Sequence, residues 1–151
     1  MRLTLQTDYA LRMLMYLAVR QGRPCRVTDV ALDYGISHNH LLKVARRLGR
    51  LGYLTTARGR AGGIALARRP EDVNLGEVIR SMEDDFALTE CMRRDGGLCA
   101  ISPACRLKRI ARNALEAFLG VFDGFTLADI AGNRSELVAL LELSRVSEKV
   151  A

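Results

Sequence analysis

The 151-residue sequence has no tryptophan, and phenylalanine and tyrosine together make up only 5% of it. What dominates instead is Leu, Ala, Arg and Val, a mix that favours helices. Long hydrophobic runs are also missing. The longest in the first segment, Met13 to Val19, is too short to span a bilayer, and Asp8 and Arg12 interrupt the stretch before it. No signal-peptide cleavage pattern follows, so the expected location is the cytoplasm. In that reducing compartment the four cysteines read as metal ligands or sensors rather than disulfides. There is no G-x-x-x-x-G-K-[ST] string, no paired-carboxylate pattern and no Ser/His/Asp pattern, which argues against an enzyme. His38-Asn39-His40 spells a nuclease motif, but the ββ-metal scaffold that motif needs is absent.

Acidic residues are missing altogether between Asp33 and Glu71. Residues 1–70 carry thirteen Lys/Arg against three Asp, a balance of +10, whereas residues 71–151 carry ten against fourteen Asp/Glu, or −4. A half this basic suits a polyanion, because each neutralised phosphate releases condensed counterions. Apolar residues are 49% of the chain, enough for a buried core.

Residues 5–20 are apolar nearly all round from Ala10 onward and predict a central core helix, with Gln6 or Thr7 as its cap. Arg26 to Tyr34 predicts a shorter helix with Thr28 at its N-cap. Gly35 stops it, and Ser37 caps a third helix running to about Leu51. Helix, three-residue turn and helix is the spacing of a DNA-binding helix-turn-helix. In the third helix Leu41, Ala45 and Leu48 form an apolar stripe, while Lys43, Arg46, Arg47 and Arg50 recur at i, i+3, i+4 and i+7 on another face. One apolar and one wholly basic stripe suit a helix held on a core and facing phosphates. Ser37, His38, Asn39 and His40 add polar groups at its start.

Two β-capable runs, Tyr53–Ala57 and Ile64–Ala67, flank a Gly-rich tip bearing Arg58 and Arg60, which predicts a β-hairpin wing beside the reading helix. Arg68-Arg69-Pro70 closes a DNA-binding domain over 1–70. Beyond it, over 71–151, come a helix over 74–82 and an irregular loop over 83–105. A long helix over 103–123 starts at Pro103, followed by a short helix from Thr126 and a frayed tail after Leu143. Leu107, Ile110, Ala111, Ala114, Leu115, Phe118, Leu119 and Phe122 form a continuous stripe on the long helix, suited to a twin in a symmetric homodimer. The fold class is therefore mostly α: a winged helix-turn-helix with a small hairpin wing and a long C-terminal dimerisation helix.

Cys91, Cys99 and Cys105 lie in CMRRDGGLCAISPAC, a C-x7-C-x5-C arrangement, with Cys25 far away beside Pro24. Structural zinc brings its ligands in C-x2–4-C pairs, and none exists here. The wider spacing and odd ligand count suit an iron–sulfur cluster, with Gly96 and Gly97 letting the loop fold tightly.

The strings LTLQTDYALRMLMYLA, YGISHNHLLKV, ARGRAGG, SPACRLK and FDGFTLADI together resemble the NsrR/IscR/RirA family of iron–sulfur winged-helix transcriptional regulators over nearly the full length. Asn39-His40, Pro103 to Leu107 and Thr126 to Asp129 resemble its nitric-oxide-sensing branch. The resemblance implies a repressor that binds double-stranded operator DNA with a 4Fe–4S cluster intact and releases it on nitrosylation. It implies Cys91, Cys99 and Cys105 as ligands, with Asp8 from the other subunit as the fourth. An oxygen ligand is weak on so soft a centre, which leaves one iron open to a diatomic gas. Once released, Asp8 would pair with Arg12 at i+4. The 2Fe–2S branch uses C-x5-C-x5-C with a histidine where this chain has Lys108, which argues against that cofactor. The iron-responsive branch shares the C-x7-C-x5-C spacing and stays a rival for the signal. An iron–sulfur carrier that binds no DNA is the reading from another class, and it leaves the +10 half unexplained.

Overall fold

The computed structural model describes residues 2–20, 23–57, 62–93 and 95–148, with side chains through Glu142. Its element order is α1 (Leu5–Val19), α2 (Val27–Tyr34), α3 (His38–Arg50), β1 (Leu54–Ala57), β2 (Gly63–Leu66), α4 (Leu75–Met82), α5 (Arg106–Asp123), α6 (Leu127–Ile130) and α7 (Arg134–Glu148). This is the mostly helical winged helix-turn-helix the sequence predicts, with one antiparallel hairpin as its wing. No helix among the described residues is long and apolar enough to cross a membrane.

The helix α1 lies at the centre because seven of its fifteen residues are buried, Met13, Leu14, Tyr16 and Leu17 almost completely. Its cap is Thr4, not Gln6 or Thr7. Thr4 takes the extended conformation a cap needs and its hydroxyl accepts from the Thr7 amide, while Thr7 itself is buried in the first turn. In α2 the cap is Arg26 rather than Thr28, because the Asp29 carboxylate reaches back to the Arg26 amide (3.3 Å). Gly35, at φ 60°, ends α2 in the left-handed conformation, and the next amide, Ile36, bonds Ala31 O at 3.0 Å. That close turn swings the chain into α3. Ser37 occupies the cap of α3, yet its hydroxyl makes no capping bond and stays exposed.

In the wing, Leu54 pairs with Leu66 and Ala57 with Gly63. Cys25 forms a backbone bridge to Ile64, giving and receiving hydrogen bonds of 2.8–2.9 Å. A Cβ at Gly63 would stand 2.5 Å from the Cys25 carbonyl oxygen, so the hairpin can lie this close to Cys25 only with glycine there.

The C-terminal half corrects two expectations. The long helix starts at Arg106, not Pro103. Pro103 belongs to a separate 3-10 turn, Ser102–Ala104, and Cys105 is extended (ψ 115°), which breaks that turn from α5. The short helix from Thr126 is not the last: α7 follows at Arg134–Glu148 and runs on past Leu143, where a frayed tail was expected. Leu137, Val138 and Leu141 pack on the core, and the Arg134 Nε donates to Val19 O at 2.7 Å, satisfying a carbonyl at the end of α1. One hydrophobic cluster takes Leu14, Leu41 and Leu48 together with Val73, Val78, Leu127 and Leu141, so the core is continuous across residue 70.

Candidate functional site

The helix α3 divides its surface cleanly. Leu41, Val44, Ala45 and Leu48 are buried against α1, α2 and β1. Opposite them, Asn39, Lys43, Arg46 and Arg50 recur at i, i+4, i+7 and i+11, and all four are exposed. His38 and Ser37 are exposed at the same end, where the first turn leaves amide donors without intrahelical partners. A groove lined by Leu42, Arg46, Arg50, Thr56 and Gly63 separates this stripe from the wing. Arg58 and Arg60, the cations expected at the wing tip, lie outside the described residues.

Two residues expected in this interface turn elsewhere. His40 stacks on Tyr9 of α1, ring centroids 6.4 Å apart with the planes 29° from parallel. Arg47 is half-buried and engaged on three sides: Nη1 donates to Gln6 Oε1 (3.2 Å), and Nη2 to Ser81 O (3.0 Å) and Asp84 Oδ1 (2.9 Å). Both residues occupy the flank of α3 that leans on α1, one helical step away from the open stripe. Sequence reasoning picks out neither Tyr9 nor Asp84, and gives Gln6 only as a candidate cap. Tyr9 and Gln6 share a face at i and i+3, which is a usable signal, but nothing local points to Asp84, thirty-seven positions from its partner.

Of the three loop cysteines, Cys91 sits in a short turn, Cys105 directly follows another, and Cys99 lies in irregular chain between them. Cys91 sits in a 3-10 turn, Glu90–Met92, buried and within 3.3 Å of the Thr89 hydroxyl. Gly96 and Gly97 then take φ of 76° and 60°, and the loop doubles back on Glu90, whose carboxylate accepts from the Leu98 amide at 3.0 Å. A Cβ on Gly97 would come within 2.8 Å of Glu90. Cys105 is the residue before the first turn of α5, where the helix dipole favours negative charge. None of the four cysteines is disulfide-bonded. Among the described residues no three His, Cys, Asp or Glu side chains come together closely enough to hold a metal, so the loop thiols share a segment without forming a common centre.

Asp8 lies on α1, half-exposed and paired with Arg12 through Oδ2 at 2.9 Å and Oδ1 at 3.2 Å. The same Arg12 borders a cleft of about 400 Å³ between α1, α2 and α7 with Tyr34, whose phenol burial pushes above its ordinary pKa. On α5 the predicted stripe divides in two. Ala111 and Leu119 are buried in the chain's own core, whereas Leu107 and Ile110, each about 60% exposed, remain open, as does Val121, which lies outside the predicted stripe.

The family described as an iron-dependent transcriptional regulator, Rrf2, matches residues 3–133. The HTH-type transcriptional regulator NsrR of Bacillus subtilis (strain 168) is 49% identical over 144 residues, 95% of this chain and 99% of that one. The NsrR of Shouchella clausii is 44% identical over 149 residues, 98% and 100% of the two chains. Among solved structures, IscR of T. potens superposes with a TM-score of 0.70 at 23% identity, covering 91% of this chain and 90% of that one. CymR, the global cysteine regulator of B. subtilis, gives 0.68 at 23%, covering 87% and 97%. At such identities the two structures speak for the fold alone. A family match over most of the length, near-complete alignment with NsrR proteins and an exposed basic helix on a winged helix-turn-helix agree: the chain belongs to the Rrf2 family of iron-dependent, DNA-binding transcriptional regulators, which are not enzymes.

Proposed function

We propose that this chain acts as a homodimeric repressor that binds a palindromic double-stranded operator and responds to nitric oxide through a 4Fe–4S cluster. The observation that carries the DNA-binding part is the exposed stripe Asn39, Lys43, Arg46 and Arg50, on a helix whose opposite face is locked into the core. The work divides along the chain, with 1–70 reading DNA and 71–151 sensing and dimerising. Leu107, Ile110 and Val121 supply an apolar face of the kind that buries against a twin. The nitric-oxide signal rests on the resemblance of Asn39-His40, Pro103 to Leu107 and Thr126 to Asp129 to the nitric-oxide-sensing branch.

The donor chemistry of the loop fits such a cluster: three thiols outside any disulfide, on a glycine-hinged segment. Cys91, Cys99 and Cys105 would hold it, with Asp8 of the partner subunit as the oxygen ligand. When bound, a 4Fe–4S cluster would supply an iron with one exchangeable oxygen ligand. The protein's own part is the alternative engagement of Asp8, which here pairs with Arg12 on the same helix that buttresses α3. Holding Asp8 elsewhere would free Arg12, and its return would bias the placement of α1 against the reading helix.

The test is anaerobic purification followed by titration with nitric oxide and, separately, with an iron chelator, recording visible absorbance and retention of a selected duplex together. Stoichiometric nitric oxide is expected to bleach the absorbance and release DNA, and Cys91→Ser is expected to lack the absorbance. If chelator releases DNA readily while stoichiometric nitric oxide does not, the signal is iron. The family's description as iron-dependent makes that the second reading. Asp8→Ala protein with unaltered gas response and DNA affinity would remove Asp8 from the switch. No sequence-selective complex at moderate salt would point to an iron–sulfur carrier instead.

A further inference from the structure

Resting on the reading that the open face of α3 meets DNA, we infer that Arg47 is a positioning residue rather than a DNA contact. Through it the segment Glu83–Asp84 sets how the reading helix sits. Four cations lie on α3, and among the described residues only Arg47 is satisfied by acceptors from three different elements: Gln6 on α1, the Ser81 carbonyl near the end of α4, and Asp84. Its side chain is 23% exposed, whereas Lys43, Arg46 and Arg50 are open. A guanidinium so engaged must give up these bonds before it can grip a phosphate.

The neighbouring carboxylate does the same for α1. Glu83 Oε1 accepts from the Thr4 amide at 2.7 Å and the Thr4 hydroxyl at 3.1 Å, and Thr4 is the cap of the helix that carries Asp8. Two adjacent acids therefore hold two different helices, one at the cap below Asp8 and the other at the reading helix. Both stand at the entrance to the loop that carries Cys91. A shift of that loop reaches α3 through Asp84 and Arg47, and reaches α1 through Glu83 and Thr4. Stacking of Tyr9 on His40 keeps α1 and α3 in step.

Three substitutions in the full-length protein separate positioning from contact, using a duplex enriched from a randomised pool by the wild type. A phosphate contact tolerates Lys, because the charge alone serves; a fork shared among three acceptors does not. Arg47→Lys and Arg47→Gln are both expected to weaken binding about tenfold, each keeping the wild-type dependence of affinity on salt. Lys43→Ala, the control, lowers the slope of log affinity against log salt by about 0.9 per lost contact. Asp84→Asn is expected to weaken binding about two- to fivefold, although it removes a negative charge close to DNA. Asp84 is 86% exposed, so this variant folds, and circular dichroism checks it. Wild-type binding by Arg47→Lys together with a flattened salt slope for Arg47→Gln, or tighter binding by Asp84→Asn, overturns the inference and leaves the DNA reading intact. Failure of the wild type to enrich any duplex overturns both.

Discussion

Removing one oxygen from Tyr16 tests whether the helix-turn-helix is anchored by a buried polar contact. The Tyr16 hydroxyl donates to Asp33 Oδ2 at 2.7 Å, and the Asp33 side chain is fully buried. Arg20 approaches the same carboxylate oxygen at 3.6 Å and the Tyr16 hydroxyl at 3.3 Å. The Tyr16→Phe change keeps the ring, its volume and its tilted contact with Tyr34. It deletes the hydroxyl that donates to Asp33 and accepts from Arg20 Nη2. A hydrogen bond to a charged group contributes about 1.5–3 kcal/mol, and the short geometry and complete burial place this one in that range. For a chain of this length about 2 kcal/mol corresponds to a drop of roughly 4–8 °C in Tm. Calorimetry or denaturant unfolding at one fixed protein concentration measures it, since any self-association would make Tm depend on concentration. A Tm within about 1 °C of wild type would show that the bond adds nothing net and would refute the argument.

Leu127 is completely buried where α6 meets the core, and Leu127→Ala is expected to cost about 2–5 kcal/mol in denaturant unfolding. By contrast Ile110→Glu places a charge on the open face of α5 and is expected to leave the monomer's stability within about 0.5 kcal/mol while shifting sedimentation to a monomer; an unchanged dimer would clear that face of the role. Asp123 is gripped by Arg80 through both carboxylate oxygens, and this hydrogen bonding holds its pKa below the ordinary 3.8. A depressed folded pKa gives stability that is present above the unfolded value and lost as pH falls through the folded one, so the Arg80–Asp123 tie weakens only below about pH 4. The Asp123 carboxyl carbon should titrate below 3.8 by NMR and move up toward that value in Arg80→Ala.

Much of the fold was legible because its signals are local. The apolar surround of residues 10–19, the Gly35 stop and the apolar and basic stripes of α3 all act over one or two turns. Helix ends were read less well, since a cap depends on which side chain reaches back. Asp29 reaches Arg26, and Thr4 rather than Thr7 stays outside the core. The helix α7 was missed because its short apolar set, Leu137, Val138 and Leu141, gains its stability from a core built by residues far away in the chain.

The same division holds for the DNA-reading face with which the charge count began. Composition and periodicity, which belong to the chain alone, make the first seventy residues strongly basic and set that charge on one helix as a stripe. Which of those cations face outward depends on packing between helices. Lys43, Arg46 and Arg50 stay open, whereas Arg47, one residue from Arg46, is taken up by Gln6, Ser81 and Asp84. A step of one residue turns a side chain by about 100° around a helix, and what it meets there depends on how α1 and α4 pack.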